Sequence, residues 1–490
     1  MEGLPTTRLE PALLVSRLSS EGVIHSWYPL GTMPVPSNTY EPKGKLLRVL
    51  GVGFGIAVSL GNSIGSGIMR TPGEIAGRLP SVSLVMFAWI VGAFYSLAGA
   101  WSLSEVGAMI PSAGAYYSVA RRAFGDYISF VVGWTDWVSL CAATAIITLL
   151  AGEYVGNLVP RFAGHAVSLA TAVVVLVVLV QWRGIRWGSR FQDITSAITA
   201  LVFFSLIVGA FLLPHHASVR TEAAPAIPTG IPLFVAWVFV VQAVIVTYDG
   251  WYGAFYFGDE MINPGVELPR SMINGVLLLS AIYIFTNAAL FYVFDTSTLA
   301  RENLPIAAVG QMILGERGPV IVRSFMTITL VSVANAAVLC ATRILYAMSR
   351  DGWGSVRIAY VNRGGTPTIP LFLSAFATVG FLLSGSFDRV LAITAFFYVS
   401  KYLLSYLAVF ILRRREPSTP RPYRAFGYPY TTAFAVLVSF AFLLGAIAGD
   451  TRNSLYGSLV LIASYPVYRL ARKSAANFRP VAQRPVGSGE

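Results

Sequence analysis

Long apolar segments alternate with short polar connections along most of the chain, after a polar stretch at residues 1–45. Each segment is long enough for a helix that crosses a bilayer, which takes about 20 residues. Hydrophobic residues make up 55% of the chain and charged residues 12%, whereas soluble domains carry about 25% charged residues. The pattern predicts an all-α membrane protein with about twelve transmembrane helices, with approximate cores at residues 47–70, 82–106, 128–152, 166–183, 191–213, 232–257, 272–294, 320–348, 368–384, 389–412, 426–448 and 453–469.

The first and sixth predicted helices are both interrupted near their middle. Residues 59–73, SLGNSIGSGIMRTPG, contain Gly61, Gly65 and Gly67, and each glycine weakens a helix by about 1 kcal/mol relative to alanine. Residues 246–264, VTYDGWYGAFYFGDEMINP, contain further glycines among aromatic residues. Irregular backbone is tolerated inside a bilayer only where it is buried in protein or lines a cavity. Interruptions at corresponding places in two helix groups are typical of inverted-repeat transporters with a midplane binding site.

Each interruption exposes backbone groups of one polarity. The helix that restarts near Ile68 presents unpaired N–H groups and the positive end of its dipole, which favour a carboxylate. Carbonyl groups at residues 59–62 and 246–249 are hydrogen-bond acceptors, which favour an ammonium group. An α-amino acid carries both charged groups on one carbon and therefore matches the two interruptions. The alternative interpretation is that these glycines only allow close packing of helices.

The distribution of basic residues predicts the orientation in the membrane. Most of the 35 Lys and Arg residues lie in tails and loops that share one side when the N-terminus is cytoplasmic, and cytoplasmic loops carry the excess of positive charge. Both termini are therefore expected in the cytoplasm, with a disordered tail at residues 1–45 and another tail at residues 470–490. This orientation accounts for the net charge of +12, so no nucleic-acid partner is expected.

Five segments resemble the amino acid–polyamine–organocation (APC) superfamily, and most closely its L-type amino acid transporter branch. They are GNSIGSGI (61–68), SEVGAMIPSAGAYYSVARRAFG (104–125), YDGWYGAFYFGDEMINPGVELPRS (248–271), ANAAVLCATRILYAMSRDG (334–352) and RPYRAFGYP (421–429). The resemblance implies a leucine-transporter-like fold, which is a five-plus-five inverted repeat with broken helices 1 and 6. Helices 1–5 would then occupy residues 46–213, helices 6–10 residues 232–412, and helices 11 and 12 residues 426–469.

The same resemblance implies a secondary active amino acid transporter, or permease, that works by alternating access as an antiporter or symporter. Residues of the first break would meet the substrate carboxylate, namely Ser63, Gly65, Ser66, Gly67 and Ile68. Residues of the second break would face the amino group and the side chain of the substrate, namely Val246, Tyr248, Asp249 and Gly250.

Three positions depart from the family pattern. Val246 replaces a gating aromatic residue, so occlusion relies on other residues or is looser. Asp249 replaces a glycine, and an intramembrane carboxylate is by default functional. Its open roles are pairing with a substrate amine, favouring a cationic side chain, carrying a proton, or acting as a hydrogen-bonded structural acid. Thr199 aligns with a lysine that stands in for a sodium ion in many relatives, which leaves the coupling open, proton coupling included.

Other polar side chains lie within or beside the predicted helices. Lys401 is near the middle of the tenth, too deep to reach the interface easily, and is expected to act in coupling or gating, or to form a structural ion pair with Asp136 or Asp249. Candidate gating or substrate-contacting aromatic residues are Trp251, Tyr252 and Tyr398. The acidic residues Glu105, Asp193 and Glu260 near helix ends are expected to pair with arginines such as Arg121, Arg190 or Arg270.

The residue pattern does not favour an enzyme or a channel. The cysteines Cys141 and Cys340 fall in predicted helices and the four histidines in tails or loops, so no catalytic residue, metal site or cofactor is expected. A channel would need a continuous polar stripe or repeated filter loops. The competing functions are a transporter-like amino acid sensor and a permease for amines or polyamines.

Some L-type relatives are disulfide-linked to a glycoprotein heavy chain through a cysteine in the loop after helix 3. The corresponding loop, residues 152–166, contains no cysteine, and the sequence contains no Asn-x-Ser/Thr sequon. No covalent heavy-chain partner is therefore expected, and the chain is expected to be a permease of a bacterial inner membrane that acts alone.

Overall fold

The computed structural model describes residues 44–214, 227–384, 387–449 and 451–477. Of the predicted tails, residues 1–43 and 478–490 lie outside the described residues, whereas residues 470–477 belong to the last helix, Thr451–Asn477, and not to a tail. Regular structure in the described part is helical, with short 3₁₀ helices at Pro160–Phe162, Gly253–Phe257, Gly315–Arg317 and Val356–Ala359. The α-helices are α1 (Val52–Ser63), α2 (Ser66–Arg78), α3 (Val82–Met109), α4 (Tyr116–Phe124), α5 (Asp126–Leu158), α6 (Ala166–Trp182), α7 (Ile185–Phe211), α8 (Ile231–Tyr248), α9 (Pro264–Val293), α10 (Thr296–Arg301), α11 (Pro305–Leu314), α12 (Gly318–Arg350), α13 (Thr368–Ser384), α14 (Phe387–Arg415), α15 (Tyr430–Gly449) and α16 (Thr451–Asn477).

The helices confirm an all-α multi-pass membrane protein. Within the described residues, seven helical stretches are long and apolar enough to cross a membrane, and the bent pair α1–α2 makes an eighth. The predicted fourth and ninth spans are shorter apolar helices, α6 and α13, of 17 residues each. The count of twelve spans stays a prediction.

The longest helices bring corresponding parts of the two predicted repeats together. The helices α5 and α12, each of 33 residues, pack along one another, and they are the third helices of their repeats. The second helices, α3 and α9, also pack together, and α9 contacts α1 as well. Contact between equivalent helices is what an axis relating two inverted repeats produces. The repeat boundaries themselves stay predictions.

Both predicted interruptions are present in the structure. The first lies between Ser63, where α1 ends, and Ser66, where α2 begins, and the two helices are bent by 50°. The second begins at Tyr248, where α8 ends, and the chain then passes through a turn and the 3₁₀ helix Gly253–Phe257 before α9. A helix end leaves backbone groups without an intrahelical partner, so each break exposes polar main chain inside an otherwise apolar bundle.

Ion pairs close one end of the bundle, which we call the arginine-rich end. Its pairs are Arg121–Asp126 (3.2 Å), Arg121–Asp351 (2.5 Å), Arg122–Glu416 (2.7 Å), Arg343–Glu260 (2.9 Å), Arg350–Asp259 (2.7 Å), Arg413–Glu105 (2.5 Å) and Arg421–Glu105 (3.2 Å). Glu105 and Glu260 do pair with arginines, as expected, but with Arg413 and Arg343 and not with the arginines named as examples. The actual partners are far away along the chain, since Arg413 is 308 residues from Glu105. Asp193 forms no ion pair within the described residues.

Candidate functional site

The two helix breaks are in direct contact. Asn62 of α1 donates a hydrogen bond from its side-chain amide to the carbonyl oxygen of Gly250 (3.3 Å). Gly250 has a φ of +105°, a conformation that residues with a Cβ atom rarely adopt. A Cβ atom at this position would lie 2.5 Å from the carbonyl oxygen of Asn62. The fold thus brings together two segments that are 188 residues apart in the sequence.

Tyr283 of α9 links the ends of the two broken helices. Its hydroxyl lies 2.9 Å from the carbonyl oxygen of Ser63 and 3.1 Å from that of Thr247, and it donates to both. Thr247 also forms a hydroxyl–hydroxyl hydrogen bond of 2.9 Å with Thr71 of α2. The sequence analysis missed Tyr283 because nothing in its apolar segment distinguishes this tyrosine from a packing residue.

A cavity of about 240 Å³ lies beside the breaks. One wall is polar and is formed by both breaks. The first break contributes Asn62, Ser63, Gly65, Ser66 and Gly67. The second contributes Val246, Thr247 and Asp249. Apolar side chains of α5 and α12 form another wall, and the tyrosines Tyr252, Tyr398 and Tyr402 line the side next to α14. The cavity therefore combines exposed main chain, one carboxylate, aromatic rings and an apolar surface.

The predicted site residues divide into two groups. Lining the cavity are Ser63, Gly65, Ser66, Gly67, Val246, Asp249, Tyr252 and Tyr398. Buried behind its walls are Ile68, Tyr248, Gly250 and Trp251. The second group shapes the cavity through packing and does not line it. Gly65 is less constrained than Gly250, because a Cβ atom at Gly65 would meet only a methyl group of Val333 at 3.7 Å.

Asp249 lies at the junction between the polar wall and the tyrosines. Its carboxylate accepts hydrogen bonds from the hydroxyl of Tyr402 on α14 and from the hydroxyl of Tyr252 (3.4 Å). Asp249 is also the residue that follows the last turn of α8, so its side chain lies near the carbonyl end of that helix. Of the described residues that line the cavity, none carries a basic side chain.

Lys401 lies behind the tyrosines and pairs with Asp136. Its ammonium nitrogen is 2.5 Å from one carboxylate oxygen of Asp136, and the hydroxyl of Tyr256 donates to the other at 2.7 Å. The sequence left Asp136 and Asp249 open as partners, and the structure shows Asp136. Lys401 and Asp136 are at most 2% exposed. The ammonium nitrogen also lies 4.4–5.6 Å from the ring centres of Tyr116, Tyr252, Tyr398 and Tyr402.

A groove of about 330 Å³ adjoins the cavity between α2 and α8. It shares Gly67, Val246 and Thr247 with the cavity. Val246 is 52% exposed, so no large side chain closes the passage at this position. The helix α1 begins at the arginine-rich end, where the N–H of Leu50, just before this helix, donates to the carbonyl oxygen of Glu260 (3.0 Å). Because α2 continues away from that end, the groove leads to the opposite end of the bundle.

A comparison with protein families agrees with this geometry. The sequence model of the family described as amino acid permease matches residues 50–465. The chain belongs to the amino acid permease family. This assignment confirms the resemblance to the APC superfamily and fits the leucine-transporter-like fold with its broken first and sixth helices. The family consists of membrane transporters, so the chain is a permease and not an enzyme.

Named relatives of the permease match nearly their whole length. The serine/threonine exchanger SteT of Bacillus subtilis is 28% identical over 88% of this chain and 98% of its own. The human Asc-type amino acid transporter 1 is 26% identical over 90% of this chain and 84% of its own. The human b(0,+)-type amino acid transporter 1 is 26% identical over 88% of this chain and 89% of its own.

Thr199 of the permease lies in a neutral hydrogen-bond network between α7 and α12, outside the cavity. Its hydroxyl is 3.2 Å from that of Thr329. In the same network, the side-chain amide of Gln192 donates to the hydroxyl of Ser332 at 2.9 Å. A Cβ atom at Gly61 of α1 would lie 1.8 Å from this amide nitrogen, so the network packs directly against the first broken helix. The sequence alone does not indicate Gln192, because its partners Ser332 and Asn335 lie on another helix, α12.

We expect the substitution Tyr283→Phe to weaken both stability and amino acid binding of the permease. It removes the hydroxyl donor shared by Ser63 and Thr247, and a buried polar group that loses its partner costs about 1–3 kcal/mol. The apparent unfolding temperature in detergent should fall, and the dissociation constant for an amino acid should rise about tenfold. Tyr430→Phe on α15 is the control, because this tyrosine is 82% exposed. Equal binding and stability in the two variants would contradict a role for Tyr283 at the breaks.

Proposed function

We propose that the permease is a secondary active transporter that binds an α-amino acid at the two helix breaks and moves it across the membrane by alternating access. The observation that carries the proposal is the meeting of both breaks at one cavity, where helix ends of opposite polarity share a wall. Sidedness, coupling and the roles of individual residues are parts of this proposal.

The N-terminus of α2 is the proposed site for the substrate carboxylate. The first N–H groups of a helix have no intrahelical acceptor, and an anion at this end gains about 0.3–1 kcal/mol, or up to about 2 kcal/mol where it is partly buried. Ser63, Ser66 and Ile68 complete the segment. Gly65 and Gly67 leave this main chain open to the cavity, because neither places a side chain between the backbone and a ligand.

The carbonyl ends of α1 and α8 are the proposed site for the substrate ammonium group. Carbonyl groups in the last turn of a helix lack intrahelical donors, and the negative end of the dipole favours a cation. Val246 lines the cavity in this turn, and Tyr248 and Gly250 hold the backbone behind it. The contact between Asn62 and Gly250 fixes this acceptor surface next to the N-terminus of α2.

In this proposal, access alternates between an end of the bundle held by ion pairs and an end at which a groove opens. The pairs Arg343–Glu260 and Arg350–Asp259 join α12 to the segment after the second break, whereas the groove opens toward the other end. In the proposed cycle these pairs separate when the broken helices tilt away from α5 and α12. Trp251, Tyr252 and Tyr398 act as gates in this movement.

The arginine-rich end is the proposed cytoplasmic side, with both termini in the cytoplasm, since cytoplasmic loops carry the excess of positive charge. A bacterial inner membrane is the proposed location, supported by the match to a Bacillus subtilis exchanger.

Two further parts of the proposal concern ion coupling and a partner protein. Transport is either antiport or proton-coupled symport. We assign its coupling to Asp136, Lys401 and the neutral hydrogen-bond network around Thr199. The permease acts without a covalent heavy chain, which the cysteine-free loop at residues 152–166 supports.

Counterflow in proteoliposomes tests the proposed function. Vesicles that contain the purified permease and an unlabelled amino acid should accumulate the same labelled amino acid, and empty vesicles should not. A panel of amino acids, amines and polyamines, repeated with proton and sodium gradients, identifies cargo and coupling. Binding without counterflow would indicate a sensor, and counterflow of amines alone would indicate an amine permease. Either result would contradict the proposal.

A further inference from the structure

The charged side chains around the cavity do not balance. Lys401 and Asp136 neutralise one another in a buried pair at 2.5 Å. Asp249 lines the cavity and accepts hydrogen bonds from the hydroxyls of Tyr402 and Tyr252. Within the described residues, Asp249 forms no salt bridge. With both aspartates ionised, the cluster of Asp136, Asp249 and Lys401 carries one net negative charge.

A lone carboxylate is unfavourable in this environment. Hydrogen bonds from neutral hydroxyls to a carboxylate are strong, but they supply no counter-charge. A buried charge without a counter-charge retains much of its desolvation penalty. The cavity next to Asp249 has room for a ligand, so a bound cationic group would both neutralise the carboxylate and donate hydrogen bonds to it.

We propose that the cargo of the permease is a cationic α-amino acid, whose side-chain amine or guanidinium binds against Asp249. This inference rests on the proposed function, because the breaks hold the α-carboxylate and the α-amino group. Binding of a cargo with one net positive charge makes the cavity and its cargo neutral together.

Different groups line the cavity for these two tasks. The α2 end of the cavity, at Gly65 and Gly67, receives the α-carboxylate, whereas Asp249 is tied to α14 through Tyr402. A cationic amino acid supplies a third charged group for Asp249, at the end of an aliphatic side chain. The apolar side chains of α5, such as Leu140, line the cavity and suit the methylene groups of such a chain.

The tyrosines next to Asp249 favour the same class of cargo. Tyr252, Tyr398 and Tyr402 line the cavity, and their ring centres lie 4.4–5.6 Å from the ammonium nitrogen of Lys401 behind them. Aromatic rings attract cations through their negative faces. A cationic group that enters the cavity therefore meets a carboxylate beside aromatic rings that already contact one ammonium group.

Arginine and citrulline provide a matched pair of cargoes, because citrulline is nearly the same shape and lacks the side-chain charge. Wild-type permease in proteoliposomes should exchange arginine at least about tenfold better than citrulline, since removing one member of a desolvated charge pair costs at least this factor. Asp249→Asn should reduce that ratio to near one, and Asp249→Glu should retain a preference for arginine. Glu316→Gln changes an exposed carboxylate outside the cavity and should behave like the wild type.

The results separate this inference from the proposed function. Wild-type exchange of citrulline as good as that of arginine would overturn the inference and leave the proposed function intact. An arginine preference that survives in a monodisperse Asp249→Asn variant would also overturn it. Neutral amino acid uptake that generates a current at acid pH, lost in Asp249→Asn, would assign a proton to Asp249 instead of a cationic cargo. Absence of counterflow with every amino acid would contradict the proposed function itself.

Discussion

Replacement of Gly250 by alanine is expected to weaken amino acid binding about a hundredfold while the helices still form. At the φ of +105° of this residue, a side chain introduces backbone strain of about 1–3 kcal/mol. The added Cβ atom would lie 2.5 Å from the carbonyl oxygen of Asn62 and 2.9 Å from the backbone nitrogen of Ser63. Both obstacles are main-chain atoms, so the two breaks must move apart. A displacement of about 1 Å at a site that depends on positioning costs about a hundredfold.

The measurement is equilibrium binding of a labelled amino acid to purified permease, with size-exclusion chromatography as the test of folding. Gly380→Ala is the control, because a Cβ atom at Gly380 of α13 meets nothing within 4 Å and alanine favours a helix. We expect Gly380→Ala to bind like the wild type. Wild-type affinity in Gly250→Ala would mean that the close contact of the breaks is irrelevant to binding.

Removal of Arg343 is expected to give the largest loss of stability. Its guanidinium donates two hydrogen bonds to Glu260, at 2.9 and 3.0 Å, and both side chains are fully buried. Arg343→Met leaves the Glu260 carboxylate buried without a counter-charge, which costs about 3–5 kcal/mol. The apparent unfolding temperature in detergent should fall markedly. In the double variant Arg343→Met/Glu260→Leu, most of the loss should be recovered, because no unpaired charge remains.

Arg122→Gln provides the control for Arg343→Met. Arg122 and Glu416 form a pair at the same end of the bundle, but their side chains are 41% and 25% exposed. Exposed pairs contribute about 0–1 kcal/mol, so the unfolding temperature of Arg122→Gln should stay close to that of the wild type. Equal stability of the single Arg343 variant and the double variant would contradict the charge-pair explanation.

The sequence predicted the helical segments and both breaks because these features are local. The length of an apolar segment predicts a helix that spans the membrane, and glycines that interrupt such a segment predict exposed main chain. Ser63, Gly65 and Gly67 could be placed at the cavity for this reason. The meeting of the two breaks was predicted only through the repeat pattern, and the contact between Asn62 and Gly250 was not predicted, since no local signal joins residues 188 positions apart.

The contacts that complete the site could not be read from the sequence, because they depend on how helices pack. The hydroxyl of Tyr283 forms hydrogen bonds with carbonyl groups of two other helices. Every residue type has a backbone carbonyl, so the sequence does not show which carbonyls accept these bonds. The choice of Asp136 over Asp249 as the partner of Lys401 depends on the relative rotation of α5, α8 and α14. The sequence predicted arginine partners for Glu105 and Glu260 but not which arginines, since Arg413 and Arg343 come from distant helices.

A structure of the permease with bound amino acid tests the central claim most directly. The account predicts a carboxylate within hydrogen-bond distance of the N–H groups at Gly65–Gly67, an ammonium group against the carbonyl ends of α1 and α8, and both breaks still unwound. An amino acid bound elsewhere, for example in the groove between α2 and α8 with its charged groups away from both breaks, would contradict the account.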